Sequence, residues 1–395
     1  MLNRRDFLKT FSVTPLLLQT LVRAEIETPT RYTAGNPAGF EILEIQGSYR
    51  QIGYETGKRF GSYIKQVIKK RFPWHENLMK ILHTTQGRVQ SQEYLRFTRT
   101  HFPHLLEELQ GLADGAGLHF DAIWAICIKS ELTASEKEPD GCSTITYRDE
   151  NENWLFHNED GDVAYHGKMF LLKATPPSGV SYLSLVYPGT LTGNGPSLND
   201  HGIFQTTNYI SSTAAEMGIP RYVLGRAVLE AQNLQEAADM VSLEPRAYPY
   251  HHNIGSFVEK KLLSIETTPE TMQKIEPESL SCHTNHLIGE KTVHYDKQDP
   301  EYRKSSSLSR YKVIREELSR LHNQEYKPEL FLNMLSSHKN APYSPCRHPA
   351  GSVTGITLAT AFVDINRGFM RLYKGQPCRA VPDKLYREYK MGNLG

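Results

Sequence analysis

Apolar and polar positions change their spacing along this chain, dividing it into a helical first third and a longer stretch in which strands dominate. Residues 41–47 alternate apolar and polar side chains, the two-residue period of a half-buried strand, and stop at Gly47. Ser48 can cap a helix. Beyond it Ile52, Phe60, Ile64, Val67 and Ile68 recur near one face, so the spacing predicts a helix to about Phe72, ended by Pro73. Gly53 and Gly57, four apart on that helix, weaken its propensity but let a second helix approach closely. A further helix is predicted over about 91–113, closing in a glycine-rich turn at Gly115-Ala116-Gly117. A shorter apolar helix runs from His119-Phe120-Asp121 to Leu132, and residues 134–139 read as an exposed polar loop.

After Cys142 the texture becomes strand-like. Residues 143–148 and 153–158 flank Asp149-Glu150-Asn151-Glu152 as a hairpin, and 168–175 and 180–187 flank Pro176-Pro177-Ser178-Gly179 as another. A strand is predicted at 202–209, a helix at 220–243, strands near 252–257 and 260–267, helices at 307–321 and 327–335, and a closing hairpin from 357–365 and 368–374. Strand runs set among helix pairs predict an α+β layered fold.

Composition narrows the function classes. The 395 residues, 39% hydrophobic and 23% charged, suffice for a globular protein with a sizeable core. Lys+Arg 45 against Asp+Glu 44 leaves a net charge of +1, so no nucleic-acid partner is expected. At the N-terminus Asn3-Arg4-Arg5-Asp6-Phe7-Leu8-Lys9 reads as a twin-arginine export signal. The stretch Phe11 to Val22 behind it is too short and too polar for a stable membrane anchor. Val22-Arg23-Ala24 offers a signal-peptidase site. Residues 1–24 are therefore expected to be removed, leaving a periplasmic or secreted protein. The cysteines are Cys127, Cys142, Cys282, Cys346 and Cys378, an odd count that leaves at least one free thiol in an exported protein. None has zinc-ligand spacing, and His101, His104, His251 and His252 read as surface or packing residues, so neither metal nor cofactor is expected. The pairing of Cys346 with Cys378 stays open.

The candidate chemistry sits in Asp140-Gly141-Cys142-Ser143-Thr144. A thiolate is a strong nucleophile, and the glycine before it leaves its carbonyl open to attack. If the Gly141–Cys142 peptide breaks, Cys142 carries both a thiol and an α-amine, and an amine that titrates near ~8 serves as a base close to neutral pH. The competing reading of Cys142 is a buried structural cysteine.

Several segments, in order, resemble one family, the acyl-coenzyme A:6-aminopenicillanic-acid acyltransferases among the N-terminal nucleophile (Ntn) hydrolases. They are Leu106 to Gly117, the pentapeptide around Cys142, Asn158-Glu159-Asp160, Leu198-Asn199-Asp200-His201-Gly202, His283-Thr284-Asn285-His286, Cys346-Arg347-His348 and Gly375-Gln376-Pro377-Cys378. The resemblance implies a four-layer αββα sandwich and self-cleavage into a small chain, 25–141, and a large chain, 142–395, that stay associated. It implies Cys142 as nucleophile, Thr144 as an aid to self-cleavage and Asp160 as the carboxylate holding the freed amine, with Asp162 its competitor. Asn285 matches an oxyanion donor, and Arg347 an arginine near the nucleophile. Arg310 is the alternative to Arg347, read instead as part of a helix start. The expected activity is cleavage of the amide bond of a small N-acyl compound. Acyl transfer between amines is the alternative, and an inactive binding protein on the same scaffold a third reading.

Overall fold

The first helix begins where the cap residue places it. The Ser48 hydroxyl accepts from the Gln51 backbone N–H, and the Gln51 side chain accepts from the Ser48 N–H, so two otherwise orphaned donors are satisfied reciprocally. The architecture comes from a computed structural model that describes residues 30–33, 39–133, 141–277, 279–296, 301–321 and 326–393. The expected export signal with its cleavage point and the 134–139 loop lie outside the described residues.

Strands β1 (Thr30–Thr33) and β2 (Ile42–Gln46) precede helices α1 (Tyr49–Lys70), α2 (Phe72–His83), α3 (Thr85–His101), α4 (Pro103–Ala116), α5 (Phe120–Cys127) and α6 (Lys129–Leu132). Pro73 does not simply end α1. It sits in the first turn of α2, where its missing N–H deprives no partner. The helix expected over 91–113 is two helices, because Pro103 pushes Phe102 out of the helical region, to φ −141° and ψ 57°. Gly53 and Gly57 face Gly111 and Gly115 across the α1–α4 contact. A Cβ on Gly53 would lie 1.9 Å from the Glu108 carbonyl oxygen, and one on Gly115 2.0 Å from that of Tyr54.

Strands β3 (Gly141–Arg148), β4 (Asn153–Asp162), β5 (Phe170–Thr175), β6 (Tyr182–Val186), β7 (Ser197–Asn199) and β8 (Ile203–Tyr209) follow. Then come α7 (Arg221–Ala227), α8 (Leu234–Ser242), β9 (Tyr250–Ser256), β10 (Lys261–Thr267), β11 (Met272–Ile275) and β12 (Leu280–His283). The chain closes with α9 (Val293–Asp296), α10 (Glu301–Leu318), α11 (Pro328–Leu335), β13 (Gly355–Asp364), β14 (Phe369–Lys374), α12 (Pro377–Ala380) and β15 (Tyr386–Lys390). The helix expected over 220–243 divides at Ala231, whose backbone is extended, and restarts at the Asn233 cap. The helix expected from Ser307 begins earlier, at Glu301. Strands β7, β11, β12 and β15, of three to five residues, escaped the sequence pattern.

The described strands form two sheets within a mixed α+β fold. One has nine strands in the order β1-β2-β5-β6-β7-β8-β9-β10-β11, and the other six in the order β12-β3-β4-β13-β14-β15. Leu171, Leu183, Leu185 and Phe204 of the first meet Leu155, Ala359, Ala361 and Val363 of the second in a shared apolar core. Ile52 and Phe60 of α1 cover Leu43, Phe170 and Leu172 on the first sheet, and α8 covers Ile203, Ile254 and Ile265. Ile314 and Leu318 of α10 and Phe331 and Leu335 of α11 cover Ile145, Trp154, Phe156 and Phe362 on the second. Among the described residues no helix is long and apolar enough to cross a membrane.

Candidate active site

The β3–β4 hairpin sets out the site. Its antiparallel register places Gly141 opposite Asp160, Cys142 opposite Glu159 and Thr144 opposite His157. Alternate residues of a strand point to opposite faces. Cys142, Thr144, His157 and Glu159 therefore share the face toward the nine-stranded sheet, and Gly141, Ser143 and Asp160 share the face toward α10.

On the inner face Cys142 is 4% exposed, and its Sγ lies 3.7 Å from Glu159 Oε1. That oxygen also accepts from the Tyr187 hydroxyl at 2.6 Å. The other Glu159 oxygen lies 3.3 Å from His157 Nε2, His157 Nδ1 is 2.9 Å from Thr144 Oγ1, and Thr144 donates to Asn208 Oδ1 at 3.0 Å. A buried polar chain thus joins Cys142 to Thr144 through two side chains. Burial pushes the Cys142 thiol well above its ordinary range, and the charges of Glu159 and Asp160 push it further. The backbone N–H of Asp160 and the Arg310 charge oppose them. With the Gly141–Cys142 peptide intact, burial therefore holds the sulfur as a thiol. Cys142, His157 and Glu159 offer three ligand atoms within 4.8 Å of one another, and their mutual hydrogen bonds already account for these.

On the outer face the Cys142 N–H donates to Asn285 Oδ1 at 3.0 Å. Arg310 reaches the same stretch from α10. Its Nη1 donates to the Cys142 carbonyl and to Ser143 Oγ, and its Nη2 to Asn285 Oδ1 at 2.6 Å. An arginine only donates, so the Asn285 atom facing it is the oxygen. The Asn285 NH2 donates instead to the Tyr209 carbonyl at 2.7 Å. The residue expected to donate to an oxyanion here accepts from the Cys142 nitrogen. Asp160 Oδ1 accepts from Thr357 Oγ1 at 2.7 Å, and its Oδ2 has no hydrogen-bond partner among the described residues. Burial raises the Asp160 carboxyl, while Arg347 and Arg310 pull it back. Burial also brings Arg310 down to about 10, which leaves it charged at neutral pH.

The structure brings Cys142, Asp160, Asn285 and Arg347 together and adds Arg310. A Cβ on Gly141 would lie 3.0 Å from Arg347 Nη1, 3.1 Å from Arg310 Nη2 and 3.3 Å from Asn285 Oδ1. Both arginines therefore flank the Gly141–Cys142 peptide. Gly355 makes room for Arg347, since a Cβ there would meet Nη2 at 1.8 Å. Asp162 stands further off. It caps Ala164 N–H at 2.7 Å, accepts from Thr354 at 2.8 Å and lies 3.8 Å from Arg71 Nε.

Asn285, Arg310 and Arg347 line a cavity of about 830 Å³ whose walls include Trp74, Tyr209, Tyr343 and Asp162. Arg71 stacks over the Trp74 ring at 3.8 Å on the same wall. Cys142 itself does not line the cavity; the groups holding its backbone do. His251 and His252 are fully buried on β9 rather than at the surface. His251 hydrogen-bonds Asn208 and Ser264, and its ring stacks on His283 at 3.6 Å.

Glu159 was not read as a site residue and Arg310 was set aside as part of a helix start, although signals for both existed. A hairpin turning at 149–152 pairs Arg148 with Asn153, and counting back along both strands brings Cys142 opposite Glu159. Arg310 lies one turn before Ile314 and two before Leu318, so the apolar stripe of α10 runs back onto a charged residue.

The chain is 25% identical to the beta-alanyl-dopamine/carcinine hydrolase of Drosophila melanogaster, over 86% of this chain and 94% of that protein. The pattern described as acyl-coenzyme A:6-aminopenicillanic acid acyl-transferase matches residues 147–379, more than half of the sequence. This chain belongs to the acyl-coenzyme A:6-aminopenicillanic acid acyl-transferase family.

Proposed function

We propose that this protein is a self-processing amidase that uses Cys142 twice, first on its own backbone and then on an N-acyl substrate. The observation that carries the reading is the division of labour around one peptide. A buried sulfur faces a carboxylate on one side of β3, and Asn285, Arg310 and Arg347 flank the same backbone on the other. In the first step the Cys142 sulfur adds to the Gly141 carbonyl carbon as its proton passes toward Glu159. The C–N bond then breaks, the Cys142 nitrogen takes up a proton, and a thioester forms. Water opens the thioester to a Gly141 carboxylate and a free thiol. The new α-amine stays beside Asn285 Oδ1, an acceptor that holds it as a base for the second reaction. In that reaction the sulfur takes the acyl group from a substrate amide, with the two guanidiniums stabilising the oxyanion. The amine leaves with a proton, and water releases the acid.

The architecture suits a chain cut at this point. We read the layering as the four-layer αββα sandwich of Ntn hydrolases. Strand β2 of the small chain pairs in parallel with β5 of the large chain, and α1 buries its apolar face on that sheet, so the two products remain associated. The relative is named as a hydrolase of beta-alanyl-dopamine and carcinine, and an N-acylated amine is the substrate class proposed here. The family's description favours acyl transfer as the second reading, because the same thioester passes its acyl group to an amine that outcompetes water. Export by a twin-arginine signal belongs to the proposal. Mass spectrometry of the protein from a native host tests it together with the internal cut. The expected result is a start at Glu25, a break before Cys142 and a Cys142→Ala variant that is intact and inactive. An uncut wild-type chain that still hydrolyses amides overturns the reading.

A further inference from the structure

A second cluster of potential ligands lies behind Arg347, away from the sulfur of Cys142. His338, Cys346, His348 and Cys378 each offer one ligand atom, and the four atoms lie within 4.8 Å of one another. Three of the residues sit on the segment between α11 and β13, and the fourth on α12. Cys346 is fully buried, Cys378 and His348 are half-buried, and His338 is exposed, which leaves a route in from solvent.

We propose that these four side chains form a structural zinc site. The set is two thiols and two imidazoles, the Cys2His2 combination that closes a tetrahedral zinc shell. The distances fit. With Zn–S of about 2.3 Å and Zn–N of about 2.0–2.1 Å, a tetrahedral angle places sulfur and nitrogen ligands about 3.6 Å apart. Cys346 Sγ and Cys378 Sγ each lie 3.5 Å from His348 Nε2. One imidazole nitrogen accepts from one thiol at a time while the two thiols also hydrogen-bond each other, and a shared cation satisfies all three groups at once. A disulfide between the two sulfurs leaves the two histidines unexplained, with His338 at 4.9 Å ring-to-ring from His348. On binding, both thiols lose their protons to solvent and the cation takes an electron pair from each of the four atoms, so the site is neutral overall.

The site has a consequence for the cavity. Arg347 lies between two of the four residues. Its backbone N–H donates to Thr357 Oγ1 at 2.9 Å, and that hydroxyl donates to Asp160 Oδ1 at 2.7 Å. The metal thus clamps the loop that presents Arg347 to Gly141 and ties it to α12. The sequence hid the cluster because its members stand eight, two and thirty positions apart, unlike any compact zinc spacing.

The test measures metal in the full chain, expressed with zinc and purified without a histidine tag. About one zinc per chain is expected, with Cys142→Ala retaining it, so the result does not depend on the amidase reading. Cobalt(II) exchanged into the protein should show the intense visible bands of a tetrahedral site and thiolate-to-metal charge transfer. Cys378→Ser should lose the metal. His338→Ala, a change at an exposed side chain that leaves folding intact, should release it at a chelator concentration at least about 10-fold lower than the parent. Less than a tenth of an equivalent of zinc in the folded parent, a Cys346–Cys378 disulfide by mass, or unaltered retention in His338→Ala would each overturn the assignment.

Discussion

Replacing Arg310 with methionine separates its chemical role from its structural one. The side chain is 1% exposed and donates to the Cys142 carbonyl, to Ser143 Oγ and to Asn285 Oδ1. It also shares the Asp160 charge with Arg347. Methionine keeps most of the volume and removes every donor. Breaking a buried, hydrogen-bonded ionic group in this way costs about 3–5 kcal/mol. Unfolding entropy of about 2 cal/mol/K per residue translates that, for a chain of this size, into a melting temperature lower by about 4–6 °C. Self-cleavage should suffer separately, since removing one preorganised donor beside a developing oxyanion slows acyl transfer by about 10²–10³-fold. The assay follows conversion of full-length chain into its two products by electrophoresis over time, beside a melting curve. Arg310→Lys keeps the charge but cannot span three acceptors, and should fall between parent and methionine variant. Normal processing at a lowered melting point would reduce Arg310 to a packing element. An unchanged melting point would refute the energetic argument itself.

Three further expectations follow from other parts of the fold. Glu159→Gln removes a negative charge 3.7 Å from Sγ. At effective dielectrics between ~80 and ~20 this is about 1 to 4 kcal/mol, so the thiol should ionise more readily and alkylation at pH 8 accelerate. Self-cleavage in the same variant should slow if Glu159 receives the proton; an unchanged rate removes it from the mechanism. Gly53→Leu forces a side chain into the Glu108 carbonyl and should separate α1 from α4, lowering the urea midpoint by an amount worth more than about 3 kcal/mol; a folded, unshifted variant would contradict the close approach. His252, fully buried with neither ring nitrogen hydrogen-bonded among the described residues, is held down to about 3 by burial. Its folded value lies below the unfolded ~6.5, so its contribution to stability is present above pH 6.5 and is lost as pH falls toward 3. His252→Phe should therefore shift acid unfolding, followed by circular dichroism, to lower pH; an unmoved midpoint would show that the ring is hydrated.

The long elements were legible because their signals are local. The Ser48 capping box and the 3.6-residue stripe behind it set α1, and the alternation around Asp149–Glu152 set the β3–β4 hairpin. Short strands such as β7 and β12 were not legible, because three or four residues carry too little pattern to show a period. The broken helix at Phe102 was available in principle, since Pro103 is a local breaker that a strong apolar stripe masked.

At the site the division is sharper. Cys142 behind a glycine, the carboxylates at 159 and 160 and the amide at 285 were present in the chain as residue types, and with them the possibility of a thiol nucleophile that frees its own amine. What they face was decided in three dimensions. Glu159 rather than Asp160 lies by the sulfur because a strand alternates its faces. Asn285 turns its oxygen to Cys142 because a donor-only arginine from α10 stands next to it. The zinc ligands meet only because the α11–β13 loop folds back onto α12. Local periodicity is written into neighbouring residues, whereas partners tens to hundreds of positions apart are chosen by sheet register and packing, which no single segment contains.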